Sequence, residues 1–193
     1  MDKTVSLLLN ELLKRKIISA EKADIYKIGL ELIVADVINT ILIIGVSLIT
    51  NTFISGCLYM LVFCGVRKFC GGFHAKTYWL CRVVSLFTYI MVIITSSIIK
   101  YNWLSIALIC DAITIISMVL FAPVRHPNKD LTEKEIKANK LFAILSTMFF
   151  SVSSVILILF ERKEGLNISL NLLAISILMY IGIIINKRRK EEK

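Results

Sequence analysis

The sequence is poor in several residue types that soluble domains use freely. Only two of its 193 residues are proline and two are histidine, and Asp, Glu, Lys and Arg together make up only 19%. Hydrophobic residues make up 57%, whereas roughly 45–50% of the residues in an average soluble domain are apolar. One core could not bury this much apolar surface, so the composition excludes an ordinary soluble domain and indicates a multi-spanning membrane protein.

Charged residues are nearly missing from several long stretches. Five of these stretches approach the ~20 residues that a helix needs to cross about 30 Å of hydrocarbon. A shorter run, 52–66, is expected either to span with a distorted end or to re-enter, which requires protein or a wet cavity around its backbone. We therefore predict an all-α integral membrane protein, a single domain over 1–193 with about six hydrophobic helical segments. The five longer runs cover residues 29–50, 78–99, 103–122, 141–160 and 168–185.

The N-terminal segment lacks the clean apolar core of a cleavable signal peptide, because acids and bases interrupt it. Leu7, Leu8, Leu12 and Leu13 instead predict an amphipathic N-terminal helix over 1–27, lying on a membrane face. The alternative is a solvated helix that packs against the bundle.

The net charge of +9 could suggest a nucleic-acid partner, but in so apolar a chain the position of the cations matters more than their sum. Lys and Arg cluster in 3–27, 67–77, 123–140 and 187–193. The positive-inside rule places these clusters in the cytoplasm, which gives six crossings with both termini inside. The expected partner of this surface is the lipid bilayer, and no nucleic acid is expected.

The five cysteines are an odd number and all lie in or near the predicted membrane segments. We expect reduced thiols and no disulfide framework.

Ionisable residues within the spans are also few. Asp36 shares a helix face with Asn39, which suits either a structural contact between helices or a catalytic role, and Asp111 is expected to form a helix–helix contact.

Chemistry is most plausible in the polar interruption at 67–82, where His74 precedes Cys81 by seven residues. A cysteine nucleophile needs a general base at about 3 Å, but seven residues of straight helix would separate the two by about 10.5 Å. The pair therefore requires a turn that folds His74 back over the next helix. Gly71 and Gly72 would permit such a turn, since glycine accepts positive φ.

Cys81 would then lie about one turn into a new helix, with Thr77 as its N-cap. The helix N-terminus and the neighbouring Lys76 and Arg82 would favour a thiolate. His126, between the two prolines, is interpreted as a solvated loop residue.

Two other interpretations of this segment stay open. Cys64, Cys70, His74 and Cys81 could bind a metal, although their spacing lacks the close CxxC pairs of structural zinc sites. The segment could also be a structural loop with incidental cysteines, as in a transporter.

Two motifs resemble the accessory gene regulator protein B (AgrB) family, membrane cysteine endopeptidases of Gram-positive quorum-sensing systems. "RKFCGGFHAKTYWLC", residues 67–81, has the family's arginine, glycine pair, His-Ala and a cysteine seven residues after the histidine. "APVRHPNK", residues 122–129, is similar to its Ala-Pro and Pro-Asn-Lys positions. The chain length, the basic start and the six hydrophobic segments agree with the family along essentially the whole chain.

The resemblance implies that Cys81 is the nucleophile and His74 its general base, while Arg67 and Gly72 match positions that matter for activity. It also implies a small AgrD-like precursor peptide as substrate. The acidic C-terminal tail of this peptide would be removed on the cytoplasmic side of the cell membrane, with closure of a thiolactone or lactone ring. A homodimer is implied, and no cofactor or metal.

Several further roles are hypotheses. Arg67 and Lys68 would hold carboxylates of the acidic tail, and Asp36 or Asn39 could orient His74. Cys70 is an alternative nucleophile. The rival function is a non-enzymatic small membrane transporter or a peptide-export partner, for which Cys81 would be dispensable.

Overall fold

The computed structural model describes residues 2–15, 18, 23–71, 78–124 and 132–191, and these form seven α-helices. No strand occurs in these ranges, where the one exception to helix and turn is an isolated backbone bridge. The predicted all-α fold is therefore confirmed. The helices are α1 Asp2–Lys14, α2 Ala23–Ile49, α3 Phe53–Cys70, α4 Tyr78–Ile98, α5 Trp103–Phe121, α6 Glu133–Leu159 and α7 Glu164–Glu191.

Six of the helices, α2 to α7, are long and apolar enough to cross a membrane. The short run at 52–66 belongs to α3, which continues without interruption through Arg67 to Cys70 and is 18 residues long. Of the two predicted alternatives for this run, the structure therefore favours a spanning helix. Because the helix continues, the backbone N–H and C=O groups beyond the apolar run are paired within it. An irregular segment at membrane depth would leave such groups unpaired unless protein or water surrounded it.

The N-terminal helix is shorter than the predicted segment 1–27. Helix α1 ends at Lys14, and residues 23–27 already belong to α2. Val5 of α1 is fully buried, whereas Leu7 is 70% exposed, so α1 packs on α2 with one side and leaves leucines open on the other. This arrangement is compatible with both predicted environments of the helix.

Helix α6 begins well before its apolar run because the sequence provides a capping box. The Thr132 hydroxyl accepts a hydrogen bond from the Glu135 N–H at 3.3 Å, and the Glu135 carboxylate accepts one from the Thr132 N–H at 2.8 Å. These contacts satisfy backbone donors that the first helical turn leaves unpaired.

Helix α7 lies at the centre of the bundle and contacts α3, α4, α5 and α6. Polar side chains of α7 attach it to α3: the Asn167 amide donates to the Ser55 hydroxyl at 2.8 Å, and the Asn171 amide donates to the Tyr59 carbonyl at 3.0 Å. Between membrane helices such hydrogen bonds and close packing replace the hydrophobic driving force that holds soluble bundles together.

The two ends of the bundle differ in how the helices are connected. At one end, three short connections each contain a residue with left-handed backbone, namely Asn51, Asn102 and Glu161, with φ of 55°, 58° and 58°. The longer segments 71–77 and 122–132 connect the helices at the other end. Two of the predicted clusters of cations therefore lie at the same end, as the alternating six-crossing arrangement requires.

Candidate active site

Cys81 lies in the first turn of α4 and is partly exposed. The first N–H groups of an α-helix have no partner within the helix. The thiol is therefore close to backbone donors of the kind that can stabilise an oxyanion. The neighbouring Trp79 is 68% exposed, so this end of α4 stands at the surface of the bundle.

Ser85, one turn beyond Cys81, fixes this part of α4 to two other helices. The Tyr59 hydroxyl of α3 donates to the Ser85 carbonyl at 2.9 Å, and the Asn39 amide of α2 donates to the Ser85 hydroxyl at 3.1 Å. The Tyr59 and Ser85 side chains are buried. Because α4 is attached to α2 and α3 at Ser85, these two helices help to set the position of Cys81. The sequence reading did not identify Tyr59 or Ser85, because no local pattern marks them.

Asp36 and Asn39 take different positions although they share one face of α2. Asn39 contacts α4 through Ser85, which places the first span beside the helix of Cys81. Asp36 is exposed and interacts electrostatically with Arg67. Neither residue's predicted role toward His74 can be read from these contacts, so that role stays a prediction.

Arg67 and Lys68, predicted to act together, lie in different surroundings at the end of α3. The Arg67 guanidinium carbon is 4.8 Å from the centroid of the Phe63 ring, a cation–π contact, and the residue is half-buried. Lys68 is exposed, with its Nζ 5.9 Å from the Phe69 ring centroid. Arg67 is therefore the preorganised cation of the pair, and Lys68 is the one open to a mobile ligand.

Gly71 ends α3 at a close approach of two backbones. Its φ is 68°, which L side chains rarely adopt, and a Cβ built there would lie 2.5 Å from the Val124 carbonyl oxygen. The Val124 N–H donates to the Cys70 carbonyl at 2.9 Å and completes the parallel bridge. The chain leaving α3 toward His74 is thus attached to the chain leaving α5, a contact that the sequence did not predict.

Cys70 differs from Cys81 in accessibility. Cys70 is fully buried and its Sγ donates to the Gly71 carbonyl at 3.3 Å, whereas Cys81 is partly exposed. A peptide could therefore reach Cys81 more readily than Cys70. All five cysteines lie in the described ranges and are free.

Several predicted residues lie outside the described ranges, among them Gly72, His74, Lys76, Thr77 and His126. The distance between His74 and Cys81 therefore stays a prediction. Within the described ranges no three His, Cys, Asp or Glu side chains come together in a way that could hold a metal.

Asp111 forms the expected helix–helix contact in the middle of the bundle. This α5 residue is 4% exposed, and its carboxyl group lies beside the hydroxyls of Ser151 in α6 and Ser169 in α7. Ser169 in turn shares a hydrogen bond of 2.7 Å with Ser154. These polar groups lie between three helices, away from Cys81, and the hydrogen bond between Ser154 and Ser169 links α6 to α7.

Comparison with known proteins identifies relatives of the whole chain. The family model described as accessory gene regulator B matches residues 5–186. The chain is 30% identical to accessory gene regulator protein B of Staphylococcus saprophyticus subsp. saprophyticus over 160 residues, 80% of this chain and 79% of that protein. It is 26% identical to accessory gene regulator protein B of Staphylococcus intermedius over 121 residues, 62% of this chain and 63% of that protein.

The second of these alignments spans less than two thirds of the relative's length, and no solved structure matches the chain. The family match, in contrast, includes all six candidate membrane spans but for the last residues of α7. The chain is therefore a multi-pass membrane protein that belongs to the accessory gene regulator B family.

Proposed function

We propose that the protein is a membrane-embedded cysteine endopeptidase that cleaves the C-terminal tail of an AgrD-like precursor peptide and promotes its cyclisation. The observation that carries this proposal is the position of Cys81. Its thiol is partly exposed in the first turn of a helix that Ser85 holds in place, at the bundle end with the longer, cation-bearing connections. Membership of the accessory gene regulator B family supports the same function.

In the proposed reaction the Cys81 thiolate attacks the scissile carbonyl carbon, and the peptide C–N bond breaks as a thioester forms. His74 gives the departing amine its proton. The thiol or hydroxyl of the peptide's own cysteine or serine then attacks the thioester carbonyl. This step closes the thiolactone or lactone ring and returns Cys81 as a free thiol.

Ring closure competes with hydrolysis of the thioester, and the location of the site favours ring closure. The attacking group belongs to the bound peptide and therefore has a high effective concentration. Cys81 belongs to a candidate membrane span, where the surroundings limit access of water to the thioester. The positive end of the α4 dipole is suited to stabilise the developing oxyanion.

Cations at the end of α3 would bind the acidic tail. Lys68 is free to follow carboxylates at the surface, while Arg67, held against Phe63, offers a fixed guanidinium for bidentate pairing. We further propose that this end of the bundle and both termini face the cytoplasm. The working unit would be a homodimer.

Co-expression with a candidate precursor peptide tests the proposal. Peptide cleavage is followed by mass spectrometry for the wild type and for Cys81→Ala, His74→Ala and Cys70→Ala. We expect cleavage to fall at least about a thousandfold in the first two variants, because a nucleophile and its base act as a unit. Cys70→Ala should keep cleaving.

Cleavage that survives Cys81→Ala would refute the proposed nucleophile, and loss in Cys70→Ala alone would assign that role to Cys70. Export of the peptide without any cleavage by the wild type would favour the rival function, a transporter or export partner.

A further inference from the structure

An open apolar groove of about 550 Å³ runs between α4 and α7. Only two of its lining residues, Thr88 and Thr95, carry a polar side-chain group. Its volume lies within the range of about 300–1,000 Å³ that is typical of ligand sites. The groove is lined by Val84, Phe87, Thr88, Met91, Val92, Thr95, Leu170, Leu173, Ala174, Ile177, Leu178, Ile181 and Ile185.

The α4 wall of the groove continues to the candidate nucleophile. Val84, Thr88, Met91 and Thr95 recur every three or four residues and so form one stripe along the helix. Cys81 precedes Val84 by three residues and belongs to the same stripe. Three residues of helix correspond to a rise of about 4.5 Å, so an occupant of the groove extends directly toward Cys81.

The α7 wall ends in cations at the same end. The end of α4 and the start of α7 lie at the bundle end with the short connections, so the two helices run in opposite directions and Ile185 lies toward Cys81. Val92 and Leu170 accordingly belong to one cluster. One turn past this lining residue α7 carries the exposed Lys187 and Arg188. The groove is thus apolar along its length and positively charged where it meets the candidate active site.

Three of the thirteen lining residues are small or hydroxyl-bearing, and together with the cationic end they point to a helical peptide as the occupant. Ala174, Thr88 and Thr95 face the groove, and residues of this kind line contacts between membrane helices, where they let two backbones approach closely. Lipid chains and a protein helix are equally apolar, so this close packing is what makes a helix preferable in the bilayer.

We propose that this groove binds an apolar helical segment of the substrate peptide, with a carboxylate-bearing part of the same peptide beside Lys187 and Arg188. Bound in this way, the peptide is guided along the stripe that ends at Cys81. This inference rests on the proposed function, because it requires that a peptide be cleaved at Cys81.

Filling the groove tests the inference. Ala174→Trp places a large ring in the groove, away from Cys81, and Ile116→Trp is the matched control, since Ile116 of α5 is 58% exposed and does not line the groove. In purified protein reconstituted in lipid nanodiscs, we expect Ala174→Trp to raise KM for the peptide at least about tenfold with little change in kcat, because binding is impaired and chemistry is not. The control should keep the wild-type KM.

A crosslinking measurement keeps the test independent of any folding defect in Ala174→Trp. The photoreactive residue benzoylphenylalanine replaces Phe87, which is 62% exposed in the groove, in the catalytically inactive Cys81→Ala chain. We expect it to crosslink to the precursor peptide and excess unlabelled peptide to suppress the product. The same residue at position 116 should not crosslink to the peptide.

Crosslinks from position 87 to lipid alone or to a second copy of the chain would overturn the inference, as would an unchanged KM in Ala174→Trp. Failure of the proposed function is distinguishable from these outcomes. In that case the wild type itself does not cleave the peptide, or Cys81→Ala still does.

Discussion

At position 71 the backbone conformation, rather than any side-chain chemistry, explains why the residue is glycine. It has positive φ, and the Val124 carbonyl oxygen occupies the space that a Cβ would need. The hydrogen bond from Val124 to Cys70 holds this approach in place. Gly71 therefore sets the direction in which the chain leaves α3 toward His74, and a side chain there would change that direction.

We predict that Gly71→Ala destabilises the protein and lowers peptide cleavage. Gly71 has φ 68° and ψ −149°, a backbone region essentially confined to glycine, which costs other residues about 1–3 kcal/mol, and the contact with Val124 adds to this cost. Thermal unfolding in detergent measures the stability. Gly29→Ala is the control, because a Cβ at Gly29 in α2 meets nothing within 4 Å. Equal melting temperatures for the two variants would contradict the prediction.

Helix α6 shows at the scale of an element how a polar start extends a membrane helix. The apolar run predicted a start near residue 141, yet the helix begins at Glu133. The Thr132 and Glu135 capping box satisfies donors of the first turn, and the acidic side chains of Glu133 and Glu135 interact favourably with the positive end of the helix dipole. The residues before 141 are therefore helical although many of them are charged.

We predict that Thr132→Ala frays this polar start and leaves the membrane part of α6 intact. Loss of an N-cap side chain typically costs about 1 kcal/mol. Hydrogen–deuterium exchange should therefore become faster in the amides of residues 133–140 and stay slow in residues 145–155. Thr132→Ser keeps an accepting hydroxyl and should exchange like the wild type. Uniformly faster exchange along α6 would argue against a local role of the cap.

At the scale of the whole molecule, the two bundle ends differ in charge and connection. The end with Asn51, Asn102 and Glu161 has short turns, whereas the end near Cys81 has the longer connections and the basic end of α7. Cationic loops are retained in the cytoplasm during membrane insertion. The structure places the short turns and the longer connections at opposite ends of the bundle. The positive charge of the longer connections is the basis for the cytoplasmic orientation that we propose.

Cysteine labelling tests this orientation. In a chain without its native cysteines, Tyr101→Cys and Lys187→Cys are treated in intact cells with a membrane-impermeant maleimide. Tyr101 is 80% exposed in the connection between α4 and α5, and we expect a cysteine there to be labelled directly. A cysteine at position 187 should react only after the membrane is permeabilised. The reverse pattern would place the candidate active site outside the cell.

The sequence predicted the local features of the fold because each depends on a continuous stretch of residues. The apolar runs predicted the five long spans. The charge clusters predicted that the connections alternate between the two sides of the membrane. Helix ends were not predicted: residues 1–27 contain a short α1 and the start of α2, and α3 extends past 52–66 to Cys70. Helix ends depend on caps and neighbouring segments, which hydropathy does not report.

By itself, then, the sequence determined an all-α membrane protein of one family and drew attention to Cys81 and His74, since composition, hydropathy and a short motif are properties of adjacent residues. Only the tertiary structure decided that Asn39 and Tyr59 hold α4 at Ser85, that Val124 meets Gly71, and that Cys81 continues the groove between α4 and α7. The physical reason is that helices distant in the chain become neighbours through side-chain packing and hydrogen bonds, and the pattern of one helix does not specify which partner it will meet.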